Sequence, residues 1–166
     1  MPAAFLGLGS NLGGREETLA RALALLDGRG FRIERKSALY ETAPVGGPPQ
    51  GDFLNQVVGG EWSGTPEALL AACLEAENAL GRVRAERFGP RTVDVDVLLF
   101  ADLMRDAPPP VLPHPRLHER RFVLVPLVEI APEARHPRLG LSARELLERC
   151  PDASRVTPYA APERRG

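Results

Sequence analysis

Residues 93–97 read Val-Asp-Val-Asp-Val, and strict alternation of this kind suits one element only. In a β-strand alternate side chains share a face and each residue advances about 3.3 Å. Asp94 and Asp96 therefore point the same way, roughly 6.5 Å apart, while the three valines take the opposite face. Directly upstream, Arg82, Arg84, Arg87 and Arg91 fall within ten residues, with Glu86 the one acid among them. Guanidinium groups so placed repel one another unless an anion gathers them. Paired carboxylates hold hard, oxygen-loving cations, and guanidinium forks hold phosphate. Side by side they point to a Mg²⁺–nucleotide site at the start of a strand. The competing reading is a solvent-facing strand behind a solvated charged loop.

Composition narrows the partners. A chain of 166 residues, 43% hydrophobic and 26% charged, is long enough to bury a core and is expected to form a single domain spanning 1–166. Its formal net charge of −1 argues against a general nucleic-acid or membrane-surface binder, which would be strongly basic. Lys36 is the only lysine among 21 basic residues and no Gly-x-x-x-x-Gly-Lys-Ser/Thr occurs, so a P-loop is excluded. Cys73 and Cys150, far apart and without paired spacing, make neither a zinc site nor a disulfide framework. With no signal peptide and no apolar run of membrane-spanning length, a cytoplasmic location is expected.

Along the chain, Ala3–Leu8 reads as a short buried strand. The run Gly7-Leu8-Gly9-Ser10-Asn11-Leu12-Gly13-Gly14 then leads into a helix with Leu19, Leu23 and Leu26 inward, stopped by Gly28 and Gly30. Leu12 stands where a dinucleotide fingerprint needs its third glycine. Residues Phe31–Tyr40 read as the second strand, and a long Gly/Pro-rich connection spans Thr42–Gly51. Phe53–Trp62 is the third strand, with Phe53, Asn55 and Val57 on one face. There Asn55 is either a satisfied sheet amide or a ligand-reading one. Thr65-Pro66-Glu67 starts a helix whose apolar face is expected at Leu70, Cys73, Leu74 and Leu80, ending at Gly81. Glu77 falls within that stripe, so its carboxylate needs a partner or a metal, the competing reading being a structural ion pair with one of the arginines. After the fourth strand, Val93–Phe100, a Pro-rich turn leads through Pro113-His114-Pro115 to a short helix over Arg116–Val128. A last helix, Ser142–Arg149, precedes a polar tail. The order is βαββαβ, an α+β, ferredoxin-like antiparallel sheet with helices on one face and a C-terminal helical and loop extension.

Several stretches together carry a family resemblance. They are Gly9-Ser10-Asn11-Leu12, Tyr40-Glu41-Thr42-Ala43-Pro44, Phe53-Leu54-Asn55, Gly81 to Asp96, Pro113-His114, Arg120 to Phe122, and Glu129-Ile130-Ala131-Pro132. In these the chain resembles the 6-hydroxymethyl-7,8-dihydropterin pyrophosphokinases of folate biosynthesis over nearly its whole length. The run Gly-Pro-Arg-Thr-x-Asp-x-Asp is the most specific.

The resemblance implies transfer of pyrophosphate from ATP to the hydroxymethyl group of the dihydropterin, releasing AMP. It implies that Asp94 and Asp96 bind two Mg²⁺ ions, and that Arg82, Arg84 and Arg91 act with them in catalysis. ATP contacts are implied for Glu77, Arg82, Arg84, Arg87, Arg91, His114 and Arg120. Pterin contacts are implied for Thr42, Ala43, Pro44, Val45, Asn55 and the ring pair Phe53 and Phe122. The chain departs from the common pattern at three positions. Phe53 stands where tyrosine is frequent, Phe88 where tryptophan is usual, and Pro115 where an aromatic follows the histidine. ATP and the pterin are then the partners, with no nucleic acid or membrane. The alternatives are a non-catalytic ferredoxin-like module for nucleotide or RNA, and a Mg²⁺-dependent transferase of other specificity.

Overall fold

The computed structural model describes residues 3–11, 14–42, 52–81 and 93–159. Strand β1 (Ala3–Ser10) is followed by helix α1 (Arg15–Gly28) and strands β2 (Arg32–Lys36), β3 (Tyr40–Thr42) and β4 (Phe53–Glu61). Helix α2 (Pro66–Gly81) returns the chain to β5 (Asp94–Phe100). A 3-10 turn at Leu117–Glu119, helices α3 (Arg121–Ile130) and α4 (Ala143–Glu148), and strand β6 (Val156–Pro158) complete the order. The sheet runs β5-β1-β4-β3-β6, with β2 also paired to β4, and every pairing is antiparallel. This is the expected βαββαβ core with its second strand in two pieces.

Strand periodicity divides the packing. Ala4, Leu6 and Leu8 of β1, Leu54 and Val58 of β4, and Val95 and Val97 of β5 face α1 and α2, where they meet Leu19, Leu26, Leu69, Cys73 and Leu80. The opposite face carries Val57, Leu98 and Leu99, covered by Leu124 and Leu127 of α3 and Leu146 of α4. The C-terminal extension thus roofs part of the face that α1 and α2 leave open. The rest of that face stays open among the described residues.

Four expectations need correction. Residues 31–40 do not form one strand, because Ser37 breaks the ladder: its N–H donates to the Val57 carbonyl, and its hydroxyl oxygen accepts the Val57 N–H at 3.0 Å. Gln56 Nε2 then donates to the Ser37 carbonyl at 2.9 Å. The buried face of α2 is Leu69, Ala72, Cys73, Ala76 and Leu80, while Leu74 is 47% exposed. Two alanines on that face let the helix axis lie close to the sheet. The helix expected over 116–128 is a 3-10 turn and then α3, separated by extended Arg120. The tail also contains β6, which pairs with β3.

Tertiary ties fix the edges. Glu129, near the end of α3, accepts the Ala38 N–H at 2.9 Å through Oε2 and a short hydrogen bond from the Tyr40 hydroxyl. Arg35 Nη1 donates to the Ile130 carbonyl at 2.9 Å. On the opposite face of the same side of the sheet, Arg15 pairs with Glu41 at 2.8 Å, donates to the Asp52 carbonyl, and lies over the Tyr159 ring. Ser142 caps α4 in a reciprocal arrangement with Glu145, the start that the sequence places there.

Candidate active site

The open face of the sheet is read most simply in rows across the strands. Gly9 of β1 is paired with Asn55 of β4 on one side and with Asp94 of β5 on the other. Two residues along, Gly7 is paired with Val57 and with Asp96. Paired residues share a face, so the two carboxylates and the Asn55 amide look the same way across a central strand that carries no side chain there. Two interstrand spacings, roughly 10 Å in all, separate Asn55 from Asp94 along their row.

Above this floor lies a cavity of about 470 Å³. Asp94 and Asp96 form one side and Thr42, Phe53 and Asn55 the other, while Arg120 and Phe122 project from the start of α3. Of the residues expected at the site, the fold brings these seven together. Glu77 and His114 are not among the cavity's lining residues. Ala43, Pro44, Val45, Arg82, Arg84, Arg87, Phe88 and Arg91 lie outside the described residues.

Each placement has a local cause. Asn55, only 7% exposed, donates through Nδ2 to Thr42 Oγ1 at 2.6 Å, a diagonal contact between β4 and β3 that fixes the amide plane. One partner of Glu77 is a backbone group. Its Oε2 accepts the Val95 N–H at 3.0 Å. Strand β5 is an edge strand, so this N–H points away from the ladder, and Glu77 clamps the backbone between the two aspartates.

His114 is tied to β5 by its own N–H, which donates to the Leu98 carbonyl at 2.9 Å. Its Nδ1 accepts the Arg116 N–H at 3.2 Å. That tautomer leaves the proton on Nε2. Burial lowers the His114 pKa, and the charges of Arg120 and Arg116 lower it further against the pull of Asp96, so a neutral ring is favoured near pH 7.

The Arg120 guanidinium carbon lies 5.6 Å from the centre of the Phe122 ring. The first N–H of α3, on Arg121, is accepted by Asp152 Oδ2 at 3.1 Å. Ser154 holds the other oxygen through its N–H and its hydroxyl. Asp152 also lines the cavity. No sequence signal marks it, because only the fold of the C-terminal segment brings it to α3. Gly7 and Gly9 did carry a signal, two glycines at the two-residue spacing of a strand face.

The donor set suits one class of ion. Asp94 and Asp96 are half-buried, share a face and offer only oxygen. Among the described residues no group of three or more His, Cys, Asp or Glu side chains could hold a metal by itself. Magnesium commonly binds through one or two carboxylates together with substrate phosphates and water, so this pair fits it.

Comparison with known proteins gives a consistent result. The family model described as 7,8-dihydro-6-hydroxymethylpterin-pyrophosphokinase (HPPK) matches residues 5–132. A 2-amino-4-hydroxy-6-hydroxymethyldihydropteridine pyrophosphokinase of Methylorubrum extorquens is 47% identical over 134 residues, covering 80% of this chain and 85% of that protein. One of the same description from Bacillus subtilis is 45% identical over 128 residues, covering 76% and 77%. Among solved structures, Plasmodium falciparum HPPK-DHPS superposes with a TM-score of 0.69 at 16% identity, over 89% of this chain. The chain spans 43% of that longer one, and at such identity the likeness concerns the fold.

Proposed function

Since the chain belongs to the 7,8-dihydro-6-hydroxymethylpterin-pyrophosphokinase family, we propose that the cavity on the open sheet face is where its reaction takes place. The enzyme transfers pyrophosphate from ATP to the hydroxymethyl group of 6-hydroxymethyl-7,8-dihydropterin in folate synthesis, giving AMP and the pterin diphosphate. The observation that supports the site is the row arrangement. The amide suited to reading a pterin edge and the carboxylates suited to a cation on phosphate flank one bare strand.

In this reading the pterin lies at the β4 side. Asn55, held by Thr42, offers its carbonyl oxygen and remaining N–H to the polar edge of the ring. Phe53 and Phe122 take its two faces, as flat heteroaromatics prefer. ATP lies toward β5. Arg120 meets phosphate oxygens, and neutral His114 donates to one through Nε2–H. Arg82, Arg84, Arg87 and Arg91 add guanidinium groups that gather around the triphosphate. Two magnesium ions held by Asp94 and Asp96 would neutralise phosphate charge and favour attack at the β-phosphorus. Glu77 keeps the Asp94–Asp96 backbone in place from behind. Among the described residues none is placed as a dedicated base, and positioning with charge stabilisation supplies the catalysis. A single unit over 1–166 in the cytoplasm, where ATP is available, accords with this role.

Turnover measured against magnesium tests the site. Activity is expected to vanish when the cation is chelated and to return when it is restored. Asp96→Ala is expected to lower kcat by at least about 10²–10³-fold, as loss of a preorganised charge-stabilising group does. Tm should stay close to that of the parent, since a half-buried carboxylate on the open face adds little to the core. Near-normal turnover of Asp96→Ala at saturating magnesium would overturn the assignment.

A further inference from the structure

The bare centre of the site has a steric cause that singles out one residue. A β-carbon built on Gly9 would lie 2.9 Å from Asn55 Oδ1, closer than such atoms approach in real proteins. Its other neighbours, the Leu54 carbonyl oxygen and Phe53 Cδ1, are at 3.8 Å, an ordinary contact. Gly9 also lacks the positive φ that makes glycine necessary at Gly14, Gly30 and Gly140. Alanine could therefore adopt the Gly9 backbone without strain. What it could not do is coexist with Asn55 in its observed rotamer.

Gly60 of β4 behaves differently. A β-carbon on Gly60 would meet the Arg32 backbone oxygen at 2.2 Å, so relief would require the strands to part. At Gly9 the obstacle is the end of a side chain. Rotation of the Asn55 amide relieves it without moving the backbone. That rotation breaks the 2.6 Å bond to Thr42 Oγ1 and swings Oδ1 out of the row it shares with Asp94.

We infer that Gly9 is a positioning residue for pterin recognition: by carrying no side chain it lets Asn55 lie against β1 at the depth and angle the substrate requires. The inference rests on the pterin-reading role of Asn55 and specifies the substrate side of the site. Because Asp94 and Asp96 are not what a Gly9 β-carbon would strike, the nucleotide side is spared.

A double-mutant cycle decides the matter. Gly9→Ala is expected to lower kcat/KM for the dihydropterin by on the order of 100-fold, the scale of an ångström-sized misplacement. KM for ATP should stay at its parent value, and Tm should fall by no more than about 2–4 °C. Asn55→Ala alone should also lose pterin affinity, and Gly9→Ala/Asn55→Ala should be no worse than Asn55→Ala, since the amide to be displaced is gone. Unaltered pterin kinetics in Gly9→Ala, or full additivity in the double variant, would overturn the inference and leave the role of Asn55 standing. Normal pterin affinity in Asn55→Ala would overturn that role and the inference with it. If Gly9→Ala does not fold, recovery of the fold in the double variant supports the steric account. Failure of both to fold refutes it.

Discussion

Tyr40 and Glu129 show how single residues tie the site face together. Tyr40 stands opposite Asn55 in the sheet, and its hydroxyl donates to the Glu129 carboxylate at the end of α3. Burial, then the hydrogen bond and then the negative charge of Glu129 push the Tyr40 hydroxyl from 10.0 up to about 12. The raised value means that the folded state favours neutral tyrosine. This contribution to stability is fully present below pH 10.0 and is lost as pH rises toward about 12. Alkaline titration followed by ultraviolet absorbance should show a late tyrosinate transition that Tyr40→Phe abolishes and Glu129→Gln moves to lower pH. A transition unmoved by Glu129→Gln contradicts the pairing. At this scale much of the site was legible. The period of two put Asp94 with Asp96, and Phe53 with Asn55, on single faces before any fold was known. The backbone partner of Glu77 was not legible, because an N–H on a distant edge strand leaves no mark in the sequence.

Among the elements, α3 carries the most functional consequence. Its N-terminal end carries Arg120 and Phe122, and its first N–H depends on Asp152 from the C-terminal segment. Removing such a cap typically costs about 1 kcal/mol, or about 2–4 °C in a chain of this size, so Asp152→Ala should lower Tm by that amount. Chiefly through the Ser154 hydroxyl, and then through the backbone N–H groups of Ser154 and Arg121, the Asp152 carboxyl is held below its ordinary 3.8 against a smaller opposing effect of burial. The ionised form is therefore the one that stabilises. Its contribution is present above pH 3.8 and fades as pH falls below it. The Tm gap between parent and variant should thus persist at neutral pH and close in acid. A gap that stays constant into acid would mean that Asp152 is not the cap. The order of the core elements was legible from periodicity and punctuation, and α4 was expected to within a residue of each observed end. The break at Ser37 was not, since a serine competing for a ladder N–H across two strands is a tertiary event. The inward face of α2 was misread because large leucines at 70 and 74 outweighed the small Ala72 and Ala76 that close approach to the sheet requires.

For the whole molecule, the sheet serves as a ruler. Helices α1 and α2 bury one face and hold the strands in register, which leaves the opposite face to present Asn55 and Asp94 on either side of Gly9. Helix α3 walls the cavity between them, anchored at its far end through Glu129 and Arg35. In the proposed reading such a frame would set a nucleotide and a flat acceptor side by side, so that the acceptor hydroxyl would meet a phosphorus inside the triphosphate instead of its terminal one. The product is therefore the most direct witness. Phosphorus NMR of a reaction containing the enzyme, ATP, magnesium and 6-hydroxymethyl-7,8-dihydropterin should show AMP and a pterin-linked diphosphate accumulating in equal amounts. Formation of ADP with a pterin monophosphate, or AMP released at the same rate without the pterin, would contradict it.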